Sequence, residues 1–154
     1  PFAAEYTESI QAISDSDPRV QMLGPVWDQD RLDALYSGAL TYIHGHSVGG
    51  TNPSLLRAMG AATATIAYDV GFNREVLGED GRFFSDPEQL TGHLNTAESE
   101  STEMIEIGRR LQQRAEQRYN WDEVAAQYED LAVRLAAGES QAGRFTGRRA
   151  SRSK

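Results

Sequence analysis

The sequence predicts an α/β fold, a parallel sheet with helices on its faces. Two observations carry this. Short runs rich in β-branched and aromatic residues alternate with stretches whose apolar residues recur at helical spacing. Strands that alternate with helices pair in parallel, because each helical crossover returns the chain to the same end of the sheet. No segment is repeated within the 154 residues, which speaks against a repeat architecture.

The elements follow in order. Phe2, Tyr6, Ile10 and Ile13 fall at helical spacing and predict an amphipathic helix from Pro1 to about Ile13, ended by Ser14-Asp15-Ser16-Asp17-Pro18. Val20-Gln21-Met22-Leu23 reads as a short strand stopped by Gly24-Pro25. Asp28 is placed to cap the next helix, with Leu32, Leu35 and Tyr36 as its buried face through Ala39. Leu40 to Ile43 is a second strand, followed by the glycine-rich loop from His44 to Thr51. Asn52 suits an N-cap, and Pro53 the first helical position, where a missing N–H costs nothing. Thr63 to Tyr68 reads as a third strand. Asp69 to Asn73 then turns into a short helix holding Glu75, Val76 and Leu77, and Arg82-Phe83-Phe84 is a fourth strand. Helices from Pro87 to about Asn95, from Ser99 to Tyr119 and from Trp121 to Ala137 complete the body, the last with Asn120 and Glu123 as a capping box. Phe83, Phe84, Tyr119, Trp121 and Tyr128 read as core and helix-packing residues.

Composition excludes several classes. Without cysteine there is no disulfide and no thiolate metal site. With only His44, His46 and His93, a metal site built from several imidazoles is not expected. No run of 18 apolar residues and no secretory leader is present, so a cytoplasmic protein is expected, at most touching the inner face of the membrane. The net charge of -8 is unevenly spread: Arg144, Arg148, Arg149, Arg152 and Lys154 stand in a stretch after Gln141 that has no acid. Residues 1–140 then hold ten basic and 23 acidic side chains, a net of -13. An acidic body repels phosphodiester backbones, so nucleic acid is not an expected partner of it. The basic stretch has two readings, a solvated disordered tail and a contact for anionic lipid or nucleic acid. The sequence is therefore divided into a body at 1–138 and a basic tail at 139–154.

The loop is where chemistry concentrates. Ligands of open parallel sheets bind beyond the carboxyl ends of strands, where loops enter helix amino termini. Free N–H groups and the helix dipole favour anions there, phosphate above all. Gly49, Gly50, Thr51 and Ser54 could thus cradle a diphosphate; the other reading is a tight turn. His44 and His46, two apart at a strand end, face the same way. They read either as proton donors or phosphate partners, or as loop histidines satisfied by backbone carbonyls. Glu75 either accepts from ligand hydroxyls or caps its helix; His93 reads as structural.

The chain resembles a known family. The run Gly-Gly-Thr-Asn-Pro-Ser-Leu-Leu-Arg-Ala-Met-Gly, a strand, Asp-Val-Gly-Phe-Asn-Arg-Glu-Val-Leu-Gly and Tyr-Asn-Trp-Asp-Glu-Val look like the donor half of retaining GT-B glycosyltransferases. His-Gly-His-Ser-Val-Gly-Gly-Thr-Asn-Pro-Ser-Leu-Leu is similar to bacterial rhamnosyltransferase-like enzymes of capsule, O-antigen and cell-wall polysaccharide assembly. The resemblance spans roughly residues 1 to 137 and is specific over 44–77. It implies a Rossmann-like sheet of strand order 3-2-1-4-5-6 with strands one and two absent here, and an amino-terminal acceptor domain outside this chain. It implies donor binding through backbone N–H groups of Gly49, Gly50, Thr51 and Asn52, with Ser54, His46, Arg57 and Glu75 around them, catalytic residues mostly in the other domain, and no metal or cofactor. The substrates implied are a nucleoside-diphosphate sugar, with L-rhamnose as the candidate hexosyl group, and a glycan or lipid-linked acceptor. The class places two glutamates where this chain has Gly49 and Arg57. Arg57 has only donors and cannot accept from a ribose hydroxyl, so a phosphate contact is expected of it instead. An open sheet with an apolar flank and marginal stability is also expected, and such a fragment would be inactive alone. Two other readings remain: a non-catalytic interaction module docking through its sheet edge, and a GT-B-like epimerase.

Overall fold

A computed structural model describes residues 2–138; the tail predicted at 139–154 lies outside the described residues. Three strands, β1 (Tyr42–His44), β2 (Thr65–Tyr68) and β3 (Arg82–Phe84), form one parallel sheet in that order. Tyr42 pairs with Thr65 and His44 with Ala67; Ala67 in turn pairs with Phe83. Helix α3 (Pro53–Gly60) crosses from β1 to β2, and α4 (Gly71–Leu77), with a 3₁₀ turn at Gly78–Asp80, crosses from β2 to β3. Helices α1 (Phe2–Ser16) and α2 (Gln29–Ser37) precede the sheet, and α5 (Pro87–Ser99), α6 (Ser101–Arg118) and α7 (Trp121–Ala136) follow it. This is the predicted α/β architecture, consistent with a Rossmann-like half of a GT-B fold.

Burial centres on the middle strand. Thr63 to Ala67 are all buried, and Ala64 and Ala67 join Leu55 and Met59 of α3, Val76 and Leu77 of α4, Ala97 of α5 and Met104, Ile107 and Leu111 of α6 in one cluster. Gly108 lets α6 approach: a Cβ there would stand 1.9 Å from the carbonyl oxygen of Ala62. Ala62 occupies the left-handed region with φ 57°. Its turn is closed by Ala62 N–H on the Met59 carbonyl and Thr63 N–H on the Ala58 carbonyl, both at 3.0 Å. Arg114 of α6 donates to the carbonyls of Val76 and Glu75, satisfying orphan acceptors at the end of α4. The sheet's outer edge at β1 is open among the described residues: Tyr42 N–H turns to the carbonyl of Ala64, just before β2, so Ile43, 42% exposed, turns its peptide groups away from β2.

Three expectations are corrected. Val20 to Leu23 is not a strand; a strand exists only by pairing, and this run, with Val20, Met22 and Leu23 exposed, pairs with no strand among the described residues. Leu35 is exposed, and α2 buries no residue fully; Leu32 and Tyr36 are half-buried. Trp121 and Tyr128 are not core: they are 83% and 71% exposed, because the apolar stripe of α7 meets no other described element closely. Phe83 and Tyr119 do pack against the core cluster. Asn120 caps α7 by accepting from Asp122 N–H at 2.9 Å.

Candidate functional site

Residues 45–51 form an exposed loop that leaves the carboxyl end of β1 and enters α3. Gly49 has φ 130°, a conformation L side chains rarely adopt. A Cβ on Gly49 or Gly50 would meet nothing within 4 Å. The space before these two residues is open, so a ligand can reach the backbone.

The donors available there are not those of the helix. Asn52 caps α3 with its side chain on Ser54 N–H at 2.9 Å, and its carbonyl takes Leu55 N–H at 3.0 Å and Leu56 N–H at 3.1 Å. Pro53 has no N–H to offer. The first turn is thereby satisfied internally. The N–H groups of Gly49, Gly50, Thr51 and Asn52 meet no acceptor among the described residues. Four free amides thus sit ahead of the positive end of a helix dipole, an arrangement suited to an anion. The Ser54 hydroxyl donates to Asn52 Oδ1 at 2.7 Å and receives the Tyr42 hydroxyl at 3.1 Å. Its one proton is committed, so Ser54 positions the cap and is not itself a free donor.

A histidine pair stands at the root of the loop, one ring buried and one exposed. His44 is 0% exposed, and its ring stacks on exposed His46 at 4.6 Å and 16°. The structure therefore brings the two together, as their spacing predicts. For His44 the carbonyl-satisfied alternative is corrected: Nδ1 lies 3.3 Å from the Tyr42 hydroxyl, and Nε2 is buried with no partner among the described residues. Burial, and then the neighbouring His46, push the His44 pKa below its ordinary value. The loop is tied down by Asn73 of α4, whose Nδ2 donates to the carbonyls of His46 at 3.1 Å and Tyr68 at 2.9 Å.

A family model described as glycosyl transferases group 1 matches residues 3–98, well over half of the chain. The chain belongs to the group 1 glycosyltransferases. No curated protein matches it. The matched span runs from α1 into α5 and includes the whole loop.

Within this glycosyltransferase domain the remaining predicted residues are dispersed. Arg57 points to α2: Nη2 donates to Gln29 Oε1 at 2.6 Å and Nε lies 3.3 Å from Asp33 Oδ1. Glu75 is exposed on α4; Val70, not Glu75, stands at that helix's cap, without a side-chain cap bond. His93 ties α5 to β3 through the Phe83 carbonyl at 2.9 Å, the structural role expected of it. Among the described residues, no three His, Asp or Glu side chains gather to hold a metal ion, and no helix is long and apolar enough to cross a membrane. Sequence reasoning missed Tyr42 and Asn73. Tyr42 shares a face with His44 by the two-residue strand period, which was a readable signal; Asn73 reaches across 27 positions to His46, for which no local pattern exists.

Proposed function

We propose that this glycosyltransferase domain holds the donor, a nucleoside-diphosphate sugar, with its diphosphate on the amides of Gly49, Gly50, Thr51 and Asn52. The observation that carries the reading is the run of four N–H groups before α3 that meet no acceptor among the described residues, the first two, at Gly49 and Gly50, beside open space. Amides fixed in advance toward a diphosphate also serve transfer, since charge grows on the leaving group as the glycosidic bond breaks. The motif resemblance supports a retaining transfer of a hexosyl group, L-rhamnose as the candidate, to a glycan or lipid-linked acceptor in cell-surface polysaccharide synthesis. In this reading the acceptor and the cationic part of the clamp belong to an amino-terminal domain, and residues 1–138 alone bind without catalysing. His46 borders the donor, while Arg57 supports the site through α2.

Isothermal titration with dTDP- and UDP-sugars tests this, on the present chain and on the complete product of its reading frame. The expected result is binding that Gly50→Pro, which deletes one free N–H from an exposed loop, weakens at least several-fold. Absence of binding to any nucleotide sugar in both proteins rejects the proposal. The open edge of β1, with Ile43 exposed, favours a second reading, a non-catalytic module that docks through the sheet. Size-exclusion chromatography showing a clean monomer argues against it.

A further inference from the structure

Four aromatic rings stand in a row that ends in the loop. Tyr36 of α2 meets Tyr42 at 5.2 Å between centroids, Tyr42 meets His44 at 5.8 Å, and His44 meets His46 at 4.6 Å. Hydrogen bonds fix where the protons of this row sit. Asn52 Oδ1 accepts Ser54 N–H, so its 2.7 Å contact with Ser54 Oγ is one in which the hydroxyl donates. The Tyr42 hydroxyl therefore donates to Ser54 at 3.1 Å, and the hydrogen between Tyr42 and His44, 3.3 Å apart, sits on His44 Nδ1. A second proton on this ring must go to Nε2, which is buried and has no partner among the described residues.

The charged side chains of the surrounding elements are spent or exposed. Tyr68 is the titratable group of β2; α3 carries Arg57, held by Gln29 and Asp33 of α2; α4 carries Arg74, held by Asp69, and the exposed Glu75. In α2, Asp28 caps its own helix, and Asp30 and Arg31 are exposed. The charge that bears on His44 is that of His46, a like charge once both rings are protonated.

We infer that the stacked histidines are a pH-operated clasp on the loop: with both rings neutral they hold residues 45–51 in the anion-binding shape, and protonation of His44 drives its ring out and releases them. A buried imidazolium with an unpaired N–H is costly, and the ring has a way out. His44 ends β1, whose outer edge is open among the described residues, and a Cβ on Gly45, Gly49 or Gly50 would meet nothing within 4 Å. The loop's tie to α4, the 3.1 Å bond from Asn73 Nδ2 to the His46 carbonyl, lies two residues on. Burial and then His46 make the closed form bind the proton less readily than the open one. The ratio of open to closed loop therefore rises by up to about tenfold per pH unit below pH about 6.5. Anion binding should weaken as pH falls, the reverse of what added positive charge alone would do. The inference rests on the donor reading above for its effect on ligand, and on the loop alone for the release.

NMR of the free chain across this pH range reads the release, and calorimetry with inorganic pyrophosphate reads its consequence. The His44 ring, the amides of 45–51 and the Asn73 side-chain amide should change together with one midpoint below about 6.5, while the amides of Leu55 and Ile107 hold still. His44→Gln should abolish the loop change. His46→Gln, an exposed substitution that keeps the test open if His44→Gln does not fold, should retain the change with its midpoint moved to higher pH. Between pH about 7.5 and about 5.5 the parent should lose several-fold more pyrophosphate affinity than His44→Gln, a comparison that cancels the ligand's own protonation. Loop amides that do not follow His44, a change shared by the core amides, a midpoint that does not rise in His46→Gln, or tighter binding at the lower pH overturns the clasp. Release without pyrophosphate binding at any pH rejects the diphosphate seat and leaves the clasp standing.

Discussion

Gly108→Ala and Gly92→Ala make one chemical change in two helices and should move stability in opposite directions. At Gly108 the new Cβ would lie 1.9 Å from the Ala62 carbonyl oxygen and 2.7 Å from the Ala62 carbonyl carbon. A carbon needs roughly 3.5 Å to such neighbours, so something must retreat by more than about 1 Å. Both clashing atoms are backbone, in a turn held at φ 57° by two hydrogen bonds. Relief must come from moving α6 bodily, which opens the packing of Ile107 and Leu111 against Leu55 and Met59. Overpacking costs about 1–3 kcal/mol, and a backbone clash belongs at the upper end. Better helix propensity returns about 1 kcal/mol, for a net loss of roughly 2 kcal/mol. At Gly92, inside α5, an added Cβ meets nothing within 4 Å, so only the propensity gain of up to about 1 kcal/mol remains. Urea midpoints of the two variants, compared at equal slope, measure both. A Gly108→Ala protein as stable as the parent would refute the account of how α6 seats on the α3–β2 turn.

The other expected outcomes are these. Stability should be level above pH about 6.5 and fall as pH drops below it, because His44 binds its proton less readily folded than unfolded; His44→Gln should flatten urea midpoints between pH 7.5 and 5.5, and an unchanged slope would count against burial as the cause. Asn52→Ala removes both acceptor contacts to Ser54 and should cost about 1 kcal/mol in a thermal melt, with Asn52→Asp recovering most of it. Arg57→Ala severs a largely solvent-exposed link to Gln29 and Asp33 and should cost less than about 1 kcal/mol by urea unfolding. Pyrophosphate affinity, followed by calorimetry, should hold or rise as NaCl goes from about 0.02 to 0.2 M, since salt screens the repulsion of an acidic body while amide bonds act at short range. A steep fall would place the anion on the basic stretch after Gln141 instead.

The sequence showed the alternation of strands and helices because Thr63 to Tyr68 is at once β-branched, apolar and bounded by turns, so propensity and burial agree. Val20 to Leu23 has the same local character, but strand formation depends on a neighbour, and propensity carries no information about one. The stripe of α7 makes the same point: periodicity shows that Trp121, Val124, Tyr128 and Leu131 share a face, and says nothing about whether anything meets it. At the site, Asn52 and Pro53 were legible because capping is local chemistry. His44 and His46 were legible as a pair through the strand period. The burial of His44 was not, since it depends on which helices close over β1. The Tyr42–Ser54 and Asn73–His46 bonds join positions far apart in the chain and exist only once α3 and α4 are docked.

These contacts also decide what kind of force the site can apply. The first two cations that follow the loop are engaged elsewhere: Arg57 with Gln29 and Asp33, and Arg74 with Asp69 at 2.5 and 2.6 Å. Residues 1–140 carry a net of -13, so the long-range field opposes an anion. What remains to attract one is short-ranged, four amide dipoles and the end of a helix of eight residues. Such forces fall off within a few ångströms and depend on direction, so they select geometry more than they supply affinity. This is why the fastening of the loop matters. The carbonyl of His46 held by Asn73, and the relay from Tyr42 to Asn52, keep the ends of residues 45–51 in place. An anion seat made of dipoles works only if its backbone is held before the ligand arrives.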